Sequence, residues 1–151
     1  EFRRVLFRSA GSGALGLEAA SRGADEAVLV ESSPDAVKII RHNMGVVKHP
    51  GVRVQEMKVS TYLASAPRKH FDLVLADPPY AFDEVDELIA VIEPVLTDRA
   101  MVVIERHVDS AVTEWPAGFE PTGQKFKKRT FGIARMDMAV YTRPGSEDTE
   151  D

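Results

Sequence analysis

The sequence predicts an α/β fold in which short apolar strands alternate with amphipathic helices. Three observations carry that expectation. Gly11-Ser12-Gly13-Ala14-Leu15-Gly16 fits the pattern G-x-G-x-x-G, opens a helical stretch over residues 15–22 that stops at Gly23, and is followed by a strand, Ala27–Glu31, that ends in an acid. Phe71-Asp72-Leu73-Val74-Leu75-Ala76 is a second strand, cut off by Pro78 and Pro79, which cannot donate to a ladder and which fix φ. Ala100-Met101-Val102-Val103-Ile104-Glu105 is a third, apolar up to its last residue and so expected to be covered on both faces.

The remaining elements follow in order. Residues 1–9 stand where a first strand should feed the glycine loop, yet Arg8 and Ser9 occupy positions where a buried strand wants apolar groups. In the loop itself, glycines let backbone N–H groups approach a ligand, and a helix N-terminus favours negative charge. Glu31 lies twenty residues past Gly11, where a carboxylate accepts from both hydroxyls of a ribose. A plain βαβ unit without a ligand is the alternative. Ser33 is a candidate N-cap with Pro34 at the first helical position, and Ala36, Val37, Ile39, Ile40 and Met44 form that helix's apolar face, read as core packing. Val52–Glu56 alternates as a strand, and residues 58–64 form a loop and short helix with Tyr62 and Leu63 turned inward. Residues 83–95 are helical by the spacing of Val85, Leu88, Ile89 and Ile92. Trp115, Pro116 and Gly118 fall in a connection, with Trp115 as a packing anchor, and Ala134–Tyr141 is the last strand. There is no internal repeat and no second domain.

Two stretches carry chemistry beyond the glycine loop. Asp77-Pro78-Pro79-Tyr80 sits at the carboxyl end of a strand, the edge where open α/β sheets bind ligands. The Asp77 carboxylate and the Pro78 carbonyl both accept hydrogen bonds, so together they suit an exocyclic amine on a planar base, whose lone pair is otherwise delocalised into the ring. Pro78 and Pro79 stiffen those acceptors, and Tyr80 offers a flat face for stacking an extruded base. A strand-ending turn with Asp77 capping the next helix is the structural alternative. The second stretch, Lys125-Phe126-Lys127-Lys128-Arg129-Thr130-Phe131-Gly132, is basic with interleaved aromatics. It suits phosphates and bases, or equally an edge hairpin defended by lysine.

Composition sets the outer bounds. At 151 residues the chain is one domain, and 44% hydrophobic against 28% charged residues excludes a disordered body. It has no cysteine, which removes disulfides and thiolate metal sites and is compatible with a reducing cytoplasm. His42, His49, His70 and His107 show no ligand spacing, so no metal is expected. No apolar run is long enough to span a membrane. The tail over residues 144–151 holds four acids and no base, so of the net charge of −5 only −1 belongs to the remainder. Composition therefore leaves nucleic-acid binding open.

With Ala10-Gly11-Ser12-Gly13-Ala14-Leu15-Gly16-Leu17-Glu18-Ala19, Val30-Glu31, Asp77-Pro78-Pro79-Tyr80 and Lys128-Arg129-Thr130-Phe131-Gly132, the chain resembles the class I S-adenosylmethionine-dependent methyltransferases. Within them it resembles the bacterial 16S rRNA (guanine-N2)-methyltransferase family, over about residues 10–142. The resemblance implies a Rossmann-like fold: a seven-stranded, mostly parallel sheet with helices on both faces and an antiparallel hairpin at its C-terminal edge. It implies S-adenosyl-L-methionine as cofactor, bound through Gly11, Ser12, Gly13, Glu31 and Asp77. It also implies that Asp77, Pro78, Pro79 and Tyr80 hold the target guanine amine in line with the methyl group, and that Lys127, Lys128 and Arg129 contact RNA. Its implied setting is cytoplasmic, a monomer acting on 16S rRNA within a small-subunit assembly. Asp-Pro-Pro-Tyr is shared with methyltransferases of DNA adenine and protein glutamine, which are the alternatives of like chemistry. An NAD-binding protein would use the glycine loop and Glu31 but leave Asp77–Tyr80 unexplained, and a catalytically impaired fragment that only binds RNA is a further alternative.

Departures from the family pattern shape the expected boundaries. Phe7, Arg8 and Ser9 stand where the family carries an acid and an apolar-aromatic pair, Lys58 stands where it carries an adenine-reading acid, and its basic N-terminal extension is missing. Residues 1–9 are accordingly expected to be foreign to the domain, residues 10–143 to be an N-terminally truncated methyltransferase domain of weakened activity, and residues 144–151 to be a disordered acidic tail.

Overall fold

The computed structural model describes residues 2–8, 21–77, 85–122 and 130–144. These hold one eight-stranded sheet in the spatial order β3-β2-β1-β4-β5-β8-β6, where β1 is Arg4–Arg8, β2 Glu26–Glu31, β3 Val52–Glu56, β4 Phe71–Ala76, β5 Leu96–His107, β6 Phe119–Pro121 and β8 Ala134–Tyr141; the eighth, β7 at Thr130–Phe131, pairs with β8 off this path. The first five strands are mutually parallel, whereas β8 runs antiparallel to β5 and to both β6 and β7. The sheet has the expected form, with β7 as a two-residue addition.

β1 is the middle of the five parallel strands, hydrogen-bonded to β2 on one side and β4 on the other. Its middle residues Val5, Leu6 and Phe7 are buried, with Arg4 and Arg8 at its two ends. Its entry is pinned by the Asp72 carboxylate, which accepts from the backbone N–H groups of Arg3 and Arg4 at 2.9 and 3.0 Å. The sheet therefore begins inside the segment 1–9.

Helices cover both faces. α1 (Pro34–Val47) starts as the sequence implies: Ser33 caps it through Oγ, which accepts from the Ala36 N–H at 3.4 Å, and Pro34 occupies the first turn. Lys48 ends it in the left-handed region at φ 55°, its N–H closing onto the Met44 carbonyl at 2.7 Å. Val37 is buried, and Ile40 is buried against Val5, Phe7, Ala27, Leu29 and Val52, with Met44 partly buried beside them. Ile39 is instead 53% exposed. At 100° per residue, position 39 lies nearly opposite 37, so the apolar face is narrower than composition made it.

The other face carries α2 (Val59–Ser65) and α3 (Val85–Ile92), the latter continued by a 3₁₀ turn, Glu93–Val95. Tyr62, Leu63, Val85, Leu88, Ile89 and Ile92 join Leu6, Val28, Val74, Val102 and Ile104 in the larger core cluster. Trp115 packs against this cluster and stacks on Phe119 of β6, ring centroids 5.8 Å apart. β5 is longer than expected and is not equally covered on its two sides. Ala100, Val102 and Ile104 are buried, while Met101 and Val103 are half-buried. β8 repeats this asymmetry, with Arg135, Asp137, Ala139 and Tyr141 buried and Met136, Met138 and Val140 half-buried.

His70 is structural, its Nε2 2.8 Å from Glu26 Oε2 at the amino end of the sheet. Among the described residues no helix is long and apolar enough to cross a membrane, and no three His, Asp or Glu side chains are grouped to hold a metal ion.

Candidate active site

The strand order places the site. From β1 the chain steps outward to β2 and β3 on one side, then returns to β4 and β5 on the other, so the order reverses between β1 and β4. Crossovers leave such a point in opposite directions, and the crevice between them opens beyond the carboxyl ends of the strands. Register fixes what lines it: Arg8 pairs with Val30 and with Ala76, and Ala76 with Ile104. The next residues along β2, β4 and β5 are Glu31, Asp77 and Glu105. Three strands thus bring an acid to the same level of the sheet, Glu31 and Asp77 at the ends of β2 and β4 and Glu105 within β5.

Glu31 closes β2 and is half-buried. Its carboxylate is oriented by its own turn, Oε2 accepting from the Ser33 N–H at 3.0 Å, and its backbone carbonyl takes the Met57 N–H at 3.1 Å. The same turn supplies the N-cap of α1, so helix start and carboxylate orientation come from one local structure. Such a carboxylate, held at the strand end, is an acceptor for a ribose diol.

Asp77 follows β4 directly and is exposed. Two strand spacings separate it from Glu31 across β1, about 10 Å. Its neighbour on the other side is Glu105, and the two side chains share a hydrogen bond. Burial pushes the Glu105 carboxyl above the usual carboxylate range, and the negative charge of Asp77 and the hydrogen bond with it push the same way.

The connection beyond β5 is held by a buried ion pair. Arg135 donates from Nη1 to the Ser110 carbonyl at 2.7 Å and the Val108 carbonyl at 3.2 Å, and from Nη2 to the Ala111 carbonyl at 3.0 Å. Asp137 accepts from the Thr113 N–H at 3.1 Å and from Thr113 Oγ1 at 2.7 Å. The segment 108–113 is thereby tied to β8, just past the edge on which Glu105 stands.

Of the site residues read from the sequence, Glu31 and Asp77 come to one edge on either side of β1. Gly11, Ser12, Gly13, Pro78, Pro79, Tyr80, Lys127, Lys128 and Arg129 lie outside the described residues. Sequence reasoning passed over Glu105, although it carries the same signal as Glu31: an acid closing an apolar strand. It also passed over Arg135 and Asp137, whose alternation in β8 read as an ordinary strand.

Comparison with known proteins settles the family. The model of the family described as Conserved hypothetical protein 95 matches residues 1–139. The chain belongs to this family. It is 33% identical over 112 residues to the Ribosomal RNA small subunit methyltransferase D of Escherichia coli strain K12, an alignment covering 73% of this chain and 56% of that protein. The chain thus spans little more than half the length of this relative. Among solved structures, a conserved hypothetical protein of Streptococcus pyogenes superposes with a TM-score of 0.79 at 32% identity, covering 91% of this chain and 85% of the other. A SAM-dependent methyltransferase from Aquifex aeolicus shares the fold at a TM-score of 0.71 and 11% identity, covering 93% of this chain and 82% of that one. The fold of this Conserved hypothetical protein 95 member is the Rossmann-like α/β fold of class I methyltransferases, with antiparallel strands at its C-terminal edge.

Proposed function

We propose that the chain transfers a methyl group from S-adenosyl-L-methionine to the exocyclic N2 amine of a guanine in 16S rRNA. The observation that carries the reading is the placement of Glu31 and Asp77 at the carboxyl edge on either side of β1, at the point where the strand order reverses. The rRNA methyltransferase to which the chain is 33% identical supports the substrate class.

The residues at this edge fit the cofactor. Glu31, with its carboxylate set by the Ser33 N–H, would accept from the ribose hydroxyls, and Gly11, Ser12 and Gly13, which the sequence pattern marks as a glycine turn, would hold the methionine portion through their backbone N–H groups. The bound cofactor supplies an electrophilic methyl group on a sulfonium. Asp77 accepts one N–H of the target amine and the Pro78 carbonyl the other, which localises the nitrogen lone pair toward the methyl. Tyr80 stacks on the guanine ring. Displacement is direct, so positioning within about 3–3.5 Å is the main requirement, and the amine proton leaves after methylation has made it acidic. Lys127, Lys128 and Arg129 supply phosphate contacts, whose signature is salt-dependent binding. In this reading the chain works as a monomer in the cytoplasm, on rRNA within a small-subunit assembly.

The test is methyl transfer from tritiated S-adenosylmethionine into small-subunit particles lacking the modification, followed by digestion and mass analysis of the nucleosides. The expected product is N2-methylguanosine. Label on adenine, or only on DNA or protein, would replace the substrate assignment; absence of cofactor binding would remove the reading.

A further inference from the structure

The sheet is not level at its carboxyl edge. β4 ends at Ala76, opposite Ile104, but β5 runs on to His107, and Glu105, Arg106 and His107 pair with Met136, Arg135 and Ala134 of β8. Three residues of strand span about 10 Å, so β5, β8 and the short β7 stand as a ledge beside the point where Asp77 leaves β4. Two braced segments top it. Gly132 and Ile133 form the two-residue turn between β7 and β8, with Gly132 at φ 62° in the first central position, as a type II′ hairpin turn requires. The Ile133 carbonyl accepts from the Val108 N–H at 2.8 Å. Segment 108–113 is tied to the same strand by Arg135, on the carbonyls of Val108, Ser110 and Ala111, and by Thr113 on Asp137.

Each segment exposes an apolar side chain on this fixed backbone: Ile133 is 60% exposed and Val112 55%. The one charged residue from 108 to 113 is Asp109, an exposed acid, so this part of the ledge is not built for phosphate. The basic run Lys125-Phe126-Lys127-Lys128-Arg129 is the stretch that leads into β7. An apolar tip joined in one hairpin to a basic run suits a nucleic acid, the tip meeting base faces and the cations meeting phosphates.

We propose that this ledge is a contact surface for the RNA around the target, with Ile133 and Val112 packed on the faces of the bases next to the methylated guanine. The proposal rests on the methyl-transfer reading above and names what meets the substrate beside that site. A guanine whose amine reaches Asp77 has left its stack, and its neighbours have lost a stacking partner. Apolar side chains set against the vacated faces replace part of that contact, as apolar wedges do in proteins that unstack base steps. β8 lies two strand spacings from β4, about 10 Å, so the ledge flanks the site and leaves its crevice open to the extruded base.

The experiment uses small-subunit particles lacking the modification as the probe. The photoreactive residue p-benzoylphenylalanine is placed at position 133 and, in a second variant, at position 112. Each complex is irradiated, and the attached nucleotides are mapped by reverse transcription against the methylated guanine. The expected result is attachment to nucleotides adjoining that guanine from each position. Attachment from either position only to a ribosomal protein, only to distant RNA, or to nothing overturns the proposal. In parallel, Ile133→Ser should lower kcat/KM for the particle by about tenfold, the scale of one buried apolar side chain. Affinity for S-adenosylhomocysteine and thermal unfolding should stay at wild-type values, and Ile133→Met should restore the rate. Full activity of Ile133→Ser, or a loss that Ile133→Met does not restore, overturns the proposal while leaving the methyl-transfer reading in place. A wild-type chain that methylates no guanine overturns both.

Discussion

Arg135 and Asp137 stand two residues apart on β8 and meet on its buried side, Nε 2.7 Å from one carboxylate oxygen and Nη2 3.0 Å from the other. Each is 1% exposed. Residues i and i+2 of a strand share a face, so the pair is formed within one strand and then buried whole. Its remaining donors and acceptors go to the carbonyls of Val108, Ser110 and Ala111 and to Thr113, which turns a strand that would otherwise bury charge into a clamp on the loop beyond β5.

Removing one partner strands the other. Asp137→Ala should destabilise the fold by about 3–5 kcal/mol, the usual cost of leaving a buried charge uncompensated. Urea unfolding at neutral pH measures it; a loss below about 1 kcal/mol would mean that the carbonyls alone satisfy Arg135.

The same pair imposes a pH dependence. Burial works to raise the Asp137 carboxyl, but hydrogen bonds from Arg135 and Thr113, together with the guanidinium charge, hold it below its ordinary value of 3.8. A depressed carboxyl contributes stability that is fully present above the unfolded value and lost as pH falls through the folded one. The stability gap between wild type and Asp137→Asn should therefore be constant from neutral pH down to about pH 5, then narrow below about pH 4. A gap that stays constant to pH 2 would contradict the assignment.

Tyr141 behaves in the opposite sense. Its hydroxyl donates to Glu93 Oε2 at 3.0 Å, and burial, that hydrogen bond and the Glu93 charge push the phenol from 10.0 to about 12. Its contribution is complete below pH 10 and is lost as pH rises toward 12. Tyr141→Phe should cost about 1 kcal/mol at neutral pH. The phenol absorbance of a Tyr141-only difference titration, wild type against Tyr141→Phe, should show a group ionising well above pH 10; a midpoint at 10 would remove the claimed link to Glu93.

At the candidate active site, Asp77→Ala should reduce methyl transfer by at least about a hundredfold, since it removes the acceptor that positions the amine. Cofactor affinity, measured calorimetrically, should change little. Turnover equal to wild type would end the amine-holding role.

Glu31→Ala should do the reverse. Loss of charge-assisted hydrogen bonds to the ribose, worth about 1.5–3 kcal/mol each, should weaken cofactor binding by roughly tenfold to a hundredfold or more. An unaltered dissociation constant would withdraw the ribose assignment.

What the sequence by itself determined is whatever depends on neighbours along the chain. β3, β4 and β8 have the bounds that alternation and proline stops imply, and Ser33 and Pro34 start α1 as their side-chain chemistry requires. Glu31 and Asp77 were legible because an acid that closes an apolar strand is a local pattern with a known consequence in an open sheet. What only the tertiary structure decided depends on register between distant segments. The arginine-flanked β1 became the middle parallel strand because β2 and β4 pair with it on either side, while the core clusters of the two faces take in Leu6 and, opposite, Val5 and Phe7. Ile39 faces outward because packing selected one side of its helix. Glu105 acquired a partner because residues 76 and 104 align across a parallel pair. Arg135 and Asp137 are buried because each supplies the charge that makes burial of the other tolerable, a condition written in contacts rather than in residue type.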